Sequence, residues 1–117
     1  MTIDPNLIDN NMLSELQEIT AGEPELLIEI IEIYQQQCPE LIAAITSAIA
    51  TQDMQSLVTA AHSLKGISYN VGAVGVGNLA KTLETHGNEG VATELSTTLA
   101  QLENIYNETS VFLETLK

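Results

Sequence analysis

The chain has 117 residues and a formal charge of −13, with only three Lys+Arg against sixteen Asp+Glu. That balance argues against nucleic acid or an anionic membrane surface as a partner, because both are bound by clusters of Lys and Arg. A single cysteine, Cys38, excludes an internal disulfide and a Cys-based zinc site.

The length fits one domain spanning residues 1–117. A hydrophobic fraction of 44% with 3% aromatics, rich in Leu, Ile, Ala and Val, is the core composition of helices packed on helices. The opening "MTIDPNLIDNN" has no basic segment followed by an apolar one, and no later run is long enough to cross a bilayer. With lone-cysteine usage, this reads as a cytoplasmic protein.

In chain order, Asp9 can cap a short helix with Met12, Leu13, Leu16 and Ile19 on its apolar side, ending at "AGEP", where Gly22 suits the stop and Pro24 the next start. Leu27, Ile30, Tyr34, Cys38, Leu41 and Ile45 follow at steps of three or four. Their phase is kept across Pro39, which predicts one long helix to about Thr51 with a kink at the proline, or else a break there. Asp53 caps a third helix whose seam is Met54, Leu57, Ala61, Leu64, Ser68 and Val71, ending at Gly72. A fourth, from about Ala73 to His86, carries Val76, Leu79, Ala80 and Leu83; Gly75 and Gly77 predict an irregular first turn. "HGNEG" reads as a loop. The last segment places Leu95, Leu99, Leu102, Tyr106, Thr109, Leu113 and Leu116 on one stripe. Nothing alternates with period two, so the expected fold is all-α: an up-down antiparallel four-helix bundle with a short N-terminal capping helix.

Within the third helix, "AAHSLKGIS" sets a histidine, a lysine and a glycine within five positions of a chain nearly devoid of positive charge. At about 100° per residue, His62 falls to one side of the Leu57–Ala61–Leu64–Ser68 seam. Lys65, Gly66 and Tyr69 follow at i+3, i+4 and i+7, on the same strip of surface. A lone surface histidine usually does nothing; this one has chemistry beside it. A neutral imidazole is a competent nucleophile toward phosphorus. Lys65 supplies a cation for phosphoryl oxygens. Gly66, unfavourable inside a helix, clears a side chain from the strip so that a partner surface can approach the ring.

These residues carry a resemblance. "AAHSLKGISYNVGAVGVGNLAKTLE" resembles the signature of the histidine-containing phosphotransfer (HPt) domain family, A-H-x-L-K-G-x-S-x-x-x-G-A followed by a helix ending in L-E or L-Q. "GEPELLIEIIEIYQQQCPELI" and "QDMQSLVTAAH" look similar to the family's preceding helices, so the likeness covers about two thirds of the chain. It implies that His62 is phosphorylated, that Lys65 and Gly66 flank it, and that Gly72 starts the turn into the next helix. It also implies that Glu84 sits across from His62 and bonds the imidazole, fixing the tautomer so that the other ring nitrogen can attack. Lys81, three residues before Glu84, would share its face and bring a second lysine near His62. His86 is expected to have no role. The sequence departs from the family at Gly75 and Gly77, where larger residues are usual, and at Tyr69, where a small one is.

The resemblance implies a phosphohistidine carrier of a two-component phosphorelay. His62 would exchange a phosphoryl group with aspartates of response-regulator receiver domains, fed by a sensor histidine kinase. No Gly-rich nucleotide loop is present, so the chain is expected to be a carrier rather than an enzyme, monomeric and without a cofactor of its own. Mg²⁺ is expected on the receiver partner. Two other readings compete. One is a helical adaptor that docks a signalling partner without phosphorylation. The other is a metal site from His62, Glu84 and His86, which falls short of the four or more ligands usual in bundles.

Overall fold

The computed structural model describes residues 4–117; the first three residues of the N-terminal stretch read above lie outside them. The described residues form five helices and no strand: α1 Asn10–Ile19, α2 Pro24–Thr51, α3 Met54–Asn70, α4 Val74–Glu89 and α5 Leu95–Glu114. Helix α2 packs on α3, α3 on α4, α4 on α5 and α5 back on α2, while α1 lies against α3. Cross-helix partners run in opposite directions along the chain. Tyr34 meets Ser68 between α2 and α3, and across α3 and α4 Tyr69 meets Gly77 while Val58 meets Gly87.

Local chemistry explains the boundaries. The Asp9 carboxylate accepts from the N–H groups of Asn11 and Met12 at 2.9 and 3.0 Å, capping α1. Pro24 begins α2, where its missing N–H costs nothing. Asp53 caps α3 by accepting from the Ser56 N–H at 3.1 Å and the Ser56 hydroxyl at 2.7 Å. Gly72, at φ +77°, makes the turn between α3 and α4, and its carbonyl accepts from the Asp9 N–H at 2.8 Å.

The α3 seam is buried as the spacing predicts: Leu57, Ala61, Leu64 and Ser68 lose essentially all exposure, together with Val76, Ala80 and Leu83 of α4. Burial at this density is the main stabilising term for a bundle of this size. On α1 the expected stripe is only half used. Leu13 is buried, but Ile19, the last residue of the helix, is 78% exposed.

Helix α2 is continuous through Pro39. A proline at position 39 leaves the carbonyl of Gln35 without its i+4 donor. The Tyr106 hydroxyl of α5 donates to that carbonyl at 3.2 Å, so the orphaned acceptor is satisfied across the bundle. Gln35 ties the same two helices a second time, its side-chain amide donating to the Ser110 hydroxyl at 3.1 Å.

Two expectations for α4 are corrected. Its first turn is regular, with the Gly77 N–H bonded to the Ala73 carbonyl at 3.0 Å. The helix also runs through His86, Gly87 and Asn88 to Glu89, where "HGNEG" predicts a loop. Gly87 is buried against Val58 rather than serving as a breaker. The stop is Gly90, at φ +69°, after which the Val91 N–H closes onto the His86 carbonyl at 2.9 Å.

Candidate functional site

His62 stands on the outer strip of α3 with 67% of its side chain exposed. Its Nδ1 lies 2.6 Å from Oε2 of Glu84 on α4, and the other carboxylate oxygen, Oε1, accepts from the Lys65 ammonium at 2.7 Å. Glu84 is the most enclosed of the three, its side chain 16% exposed against 24% for Lys65. Capping and packing bring them together. Asp53 sets where α3 starts, the buried seam fixes its rotation, and the Gly72 turn lays α4 beside it in the opposite sense.

Bonding to Lys65, and secondarily to His62, holds the Glu84 carboxyl below the ordinary carboxylate value, although partial burial opposes this. An ionised carboxylate can only accept. Nδ1 of a neutral His62 must therefore carry the proton and donate it to Glu84, which leaves the lone pair on Nε2. Among the described residues Nε2 has no hydrogen-bond partner, and the ring is the most exposed member of the cluster. The arrangement thus presents a nucleophilic nitrogen of fixed tautomer to solvent, with a carboxylate behind it to stabilise any positive charge the ring acquires.

Gly66 is exposed, and a Cβ at that position would meet nothing within 4 Å, so the strip beyond the imidazole is open. Lys81 stands on α4 three residues before Glu84. Both oxygens of Glu84 are taken by His62 and Lys65, and Lys81 makes no ion pair among the described residues. It lies exposed beside Thr85 and His86 in a shallow depression on α4. No group of three or more His, Cys, Asp or Glu side chains converges among the described residues.

The departures at Tyr69 and Gly77 turn out to be one feature. A methyl built on Gly77 would overlap the edge of the Tyr69 ring, so the large residue on α3 occupies the space the small one leaves on α4. The Tyr69 hydroxyl then donates to Oδ1 of Asn78 at 2.7 Å. Gly75 serves a different neighbour: its Cβ would lie 2.5 Å from the Asn6 carbonyl oxygen, and its N–H donates to the Leu7 carbonyl at 3.2 Å. Sequence reasoning did not single out Asn78, Val58 or Gly87 as neighbours of the site. The available signal was spacing, since Val58, His62, Lys65 and Tyr69 share one face of α3 and Gly77, Glu84 and Gly87 one face of α4.

The Hpt domain profile matches residues 29–110 of the chain. Among solved structures, the chain is similar to histidine-containing phosphotransfer protein B from Pseudomonas aeruginosa PAO1. The TM-score is 0.83 at 28% identity, over 97% of this chain and 95% of that one. No curated protein sequence matches it. The chain belongs to the Hpt domain family, and it is a phosphohistidine carrier of a two-component phosphorelay. Members of the family are phosphocarriers that interact with response regulators and histidine kinases. No helix of the described residues is long and apolar enough to cross a membrane.

Proposed function

We propose that His62 is the residue that carries the phosphoryl group, through Nε2. The observation behind this reading is the Nδ1–Glu84 hydrogen bond, which leaves Nε2 unprotonated, exposed and adjacent to the open Gly66. The Nε2 lone pair attacks the phosphorus of an aspartyl phosphate on a receiver domain. The N–P bond forms, the P–O bond breaks, and its electron pair returns to the receiver's carboxylate. The ring keeps its proton on Nδ1 and gains positive charge, which the Glu84 carboxylate stabilises, as the buried carboxylate does in a hydrolase triad. Donation to a second receiver is the reverse of these steps.

Lys65 holds Glu84 ionised with one of its three N–H donors and can turn the others toward phosphoryl oxygens. Phosphoryl transfer rests on positioning and on neutralising charge, and Mg²⁺ bound by the receiver supplies most of the latter. The chain needs no nucleotide site of its own in this reading, and acts as a monomeric cytoplasmic unit over residues 1–117. Its receiver contact spreads from the His62 strip to an adjoining groove of Leu41, Ala44 and Ala60, bordered by the hydroxyls of Thr59 and Ser63 next to His62. Lys81 acts at longer range, as a cation on the rim.

Incubation with phosphorylated receiver domains tests this. The protein is expected to take up phosphate in a form labile in acid and stable in base, and His62→Gln is expected to take up none. No uptake by the unsubstituted chain from any receiver would favour the adaptor reading instead.

A further inference from the structure

We propose that Gly77 and Gly87 are positioning residues for the phosphoryl-accepting histidine: they let α4 approach α3 closely enough for Glu84 to hold the His62 tautomer. The inference rests on the reading of His62 and Glu84 above. The α3–α4 contact is a ladder of three rungs. Tyr69 lies on Gly77 at one end, Val58 lies on Gly87 at the other, and His62 and Lys65 share Glu84 between them. The outer rungs set a large side chain of α3 against a missing one on α4. A glycine inside a helix is less favourable than alanine by about 1 kcal/mol. Two such positions bracketing the polar rung therefore act through the space they leave rather than through helix stability.

The space is tight in a way the neighbours cannot relieve. A Cβ on Gly87 would lie 2.7 Å from Cγ2 of Val58, well inside the ~3.5–4.0 Å of an ordinary carbon contact. Valine is β-branched and strongly prefers one rotamer in a helix, so its methyl does not swing aside cheaply. A Cβ on Gly77 would overlap the Tyr69 ring, and swinging that ring aside would break its hydroxyl bond to Asn78 at 2.7 Å. The remaining relief is separation of the helices. Hydrogen bonds of 2.6 and 2.7 Å to one carboxylate do not survive a shift approaching an ångström. Gly66 is the internal contrast: it lies in the same strip, but an added Cβ there touches nothing.

The test compares Gly77→Ala, Gly87→Ala and Gly66→Ala in the full chain. The tautomer and titration of His62 are read by proton–nitrogen NMR, and phosphoryl uptake from a receiver is measured separately. Gly77→Ala and Gly87→Ala are expected to give a mixed tautomer and to slow uptake about tenfold, the low end of what losing an orienting carboxylate costs. Gly66→Ala is expected to keep the Nδ1–H form. Val58→Ala/Gly87→Ala, in which the clash is removed, is expected to regain that form. Folded alanine variants at 77 and 87 that keep the native tautomer would overturn the proposal. Should these single variants not fold, the double variant decides, and loss of the tautomer there contradicts it. The NMR readout is independent of phosphorylation, so a failure of the carrier reading and a failure of the positioning proposal are told apart.

Discussion

Helix α3 carries two polar clusters of opposite character. On its outer side His62, Lys65 and Glu84 form an open relay of charge-assisted bonds. On its inner side Ser68 shares a 2.8 Å hydrogen bond with Tyr34 of α2, beside Cys38, and all three are buried. Burial pushes the Tyr34 hydroxyl far above its ordinary value and the Cys38 thiol up to about 12, so neither ionises near neutral pH. Ion pairing instead pulls Glu84 down and keeps it charged. Hydrogen bonding alone therefore does not mark a site. The outer cluster can act because its carboxylate stays ionised and its nucleophile faces water, and the inner one is fit only to fix packing.

That contrast is open to breakage from both sides. Glu84→Ala is expected to slow phosphoryl uptake about 10- to 100-fold, the usual cost of removing an orienting partner, with little loss of fold. Ser68→Ala is expected to do the reverse. It strands a buried phenol hydroxyl at a cost of about 1–3 kcal/mol in chemical unfolding, while uptake stays unchanged. Uptake falling with Ser68→Ala in a still-folded protein would erase the distinction between the clusters.

The pH dependence sharpens it. Glu84 is more acidic folded than unfolded, so its contribution is present above the ordinary carboxylate value of 4.5 and lost as pH falls through the lower folded value. Wild-type stability relative to Glu84→Gln is expected to shrink in that acidic window. Asp53 and Glu114 are lowered as well, so the difference between the two proteins is the quantity to follow.

Smaller effects separate fold from function elsewhere. Tyr106→Phe removes the donor to the Gln35 carbonyl and is expected to cost about 1 kcal/mol. With Pro39→Ala, whose N–H can take that carbonyl, the cost is expected to fall, which a double-mutant cycle measures. Gly66→Ala is expected to stabilise by about 0.5–1 kcal/mol, because the added Cβ meets nothing within 4 Å. A larger Gly66→Gln is expected to keep the fold and slow uptake by obstructing the receiver.

Much of this was legible in the sequence. The seam of α3, the Asp9 and Asp53 caps and the continuity of α2 past Pro39 follow from spacing and capping chemistry, which act locally. His62, Lys65 and Glu84 follow from one motif, and the structure joins them directly. What escaped was pairwise and non-local. Gly87 reads as a loop residue until Val58 is seen against it, and Gly77 as a weak helix start until Tyr69 fills its space. Lys81 shares a helix face with Glu84, but the cation that bonds the carboxylate is Lys65, reaching it from the facing helix. Periodicity tells which side of a helix faces its neighbour, but not which side chain of that neighbour arrives there.

The central claim is that Glu84 directs phosphorylation to one nitrogen of one histidine. Proton–nitrogen NMR of the receiver-phosphorylated protein, labelled at histidine nitrogen, reads the linkage directly. The account predicts phosphate on Nε2 of His62 with the proton retained on Nδ1; phosphate on Nδ1, or on His86, would contradict it.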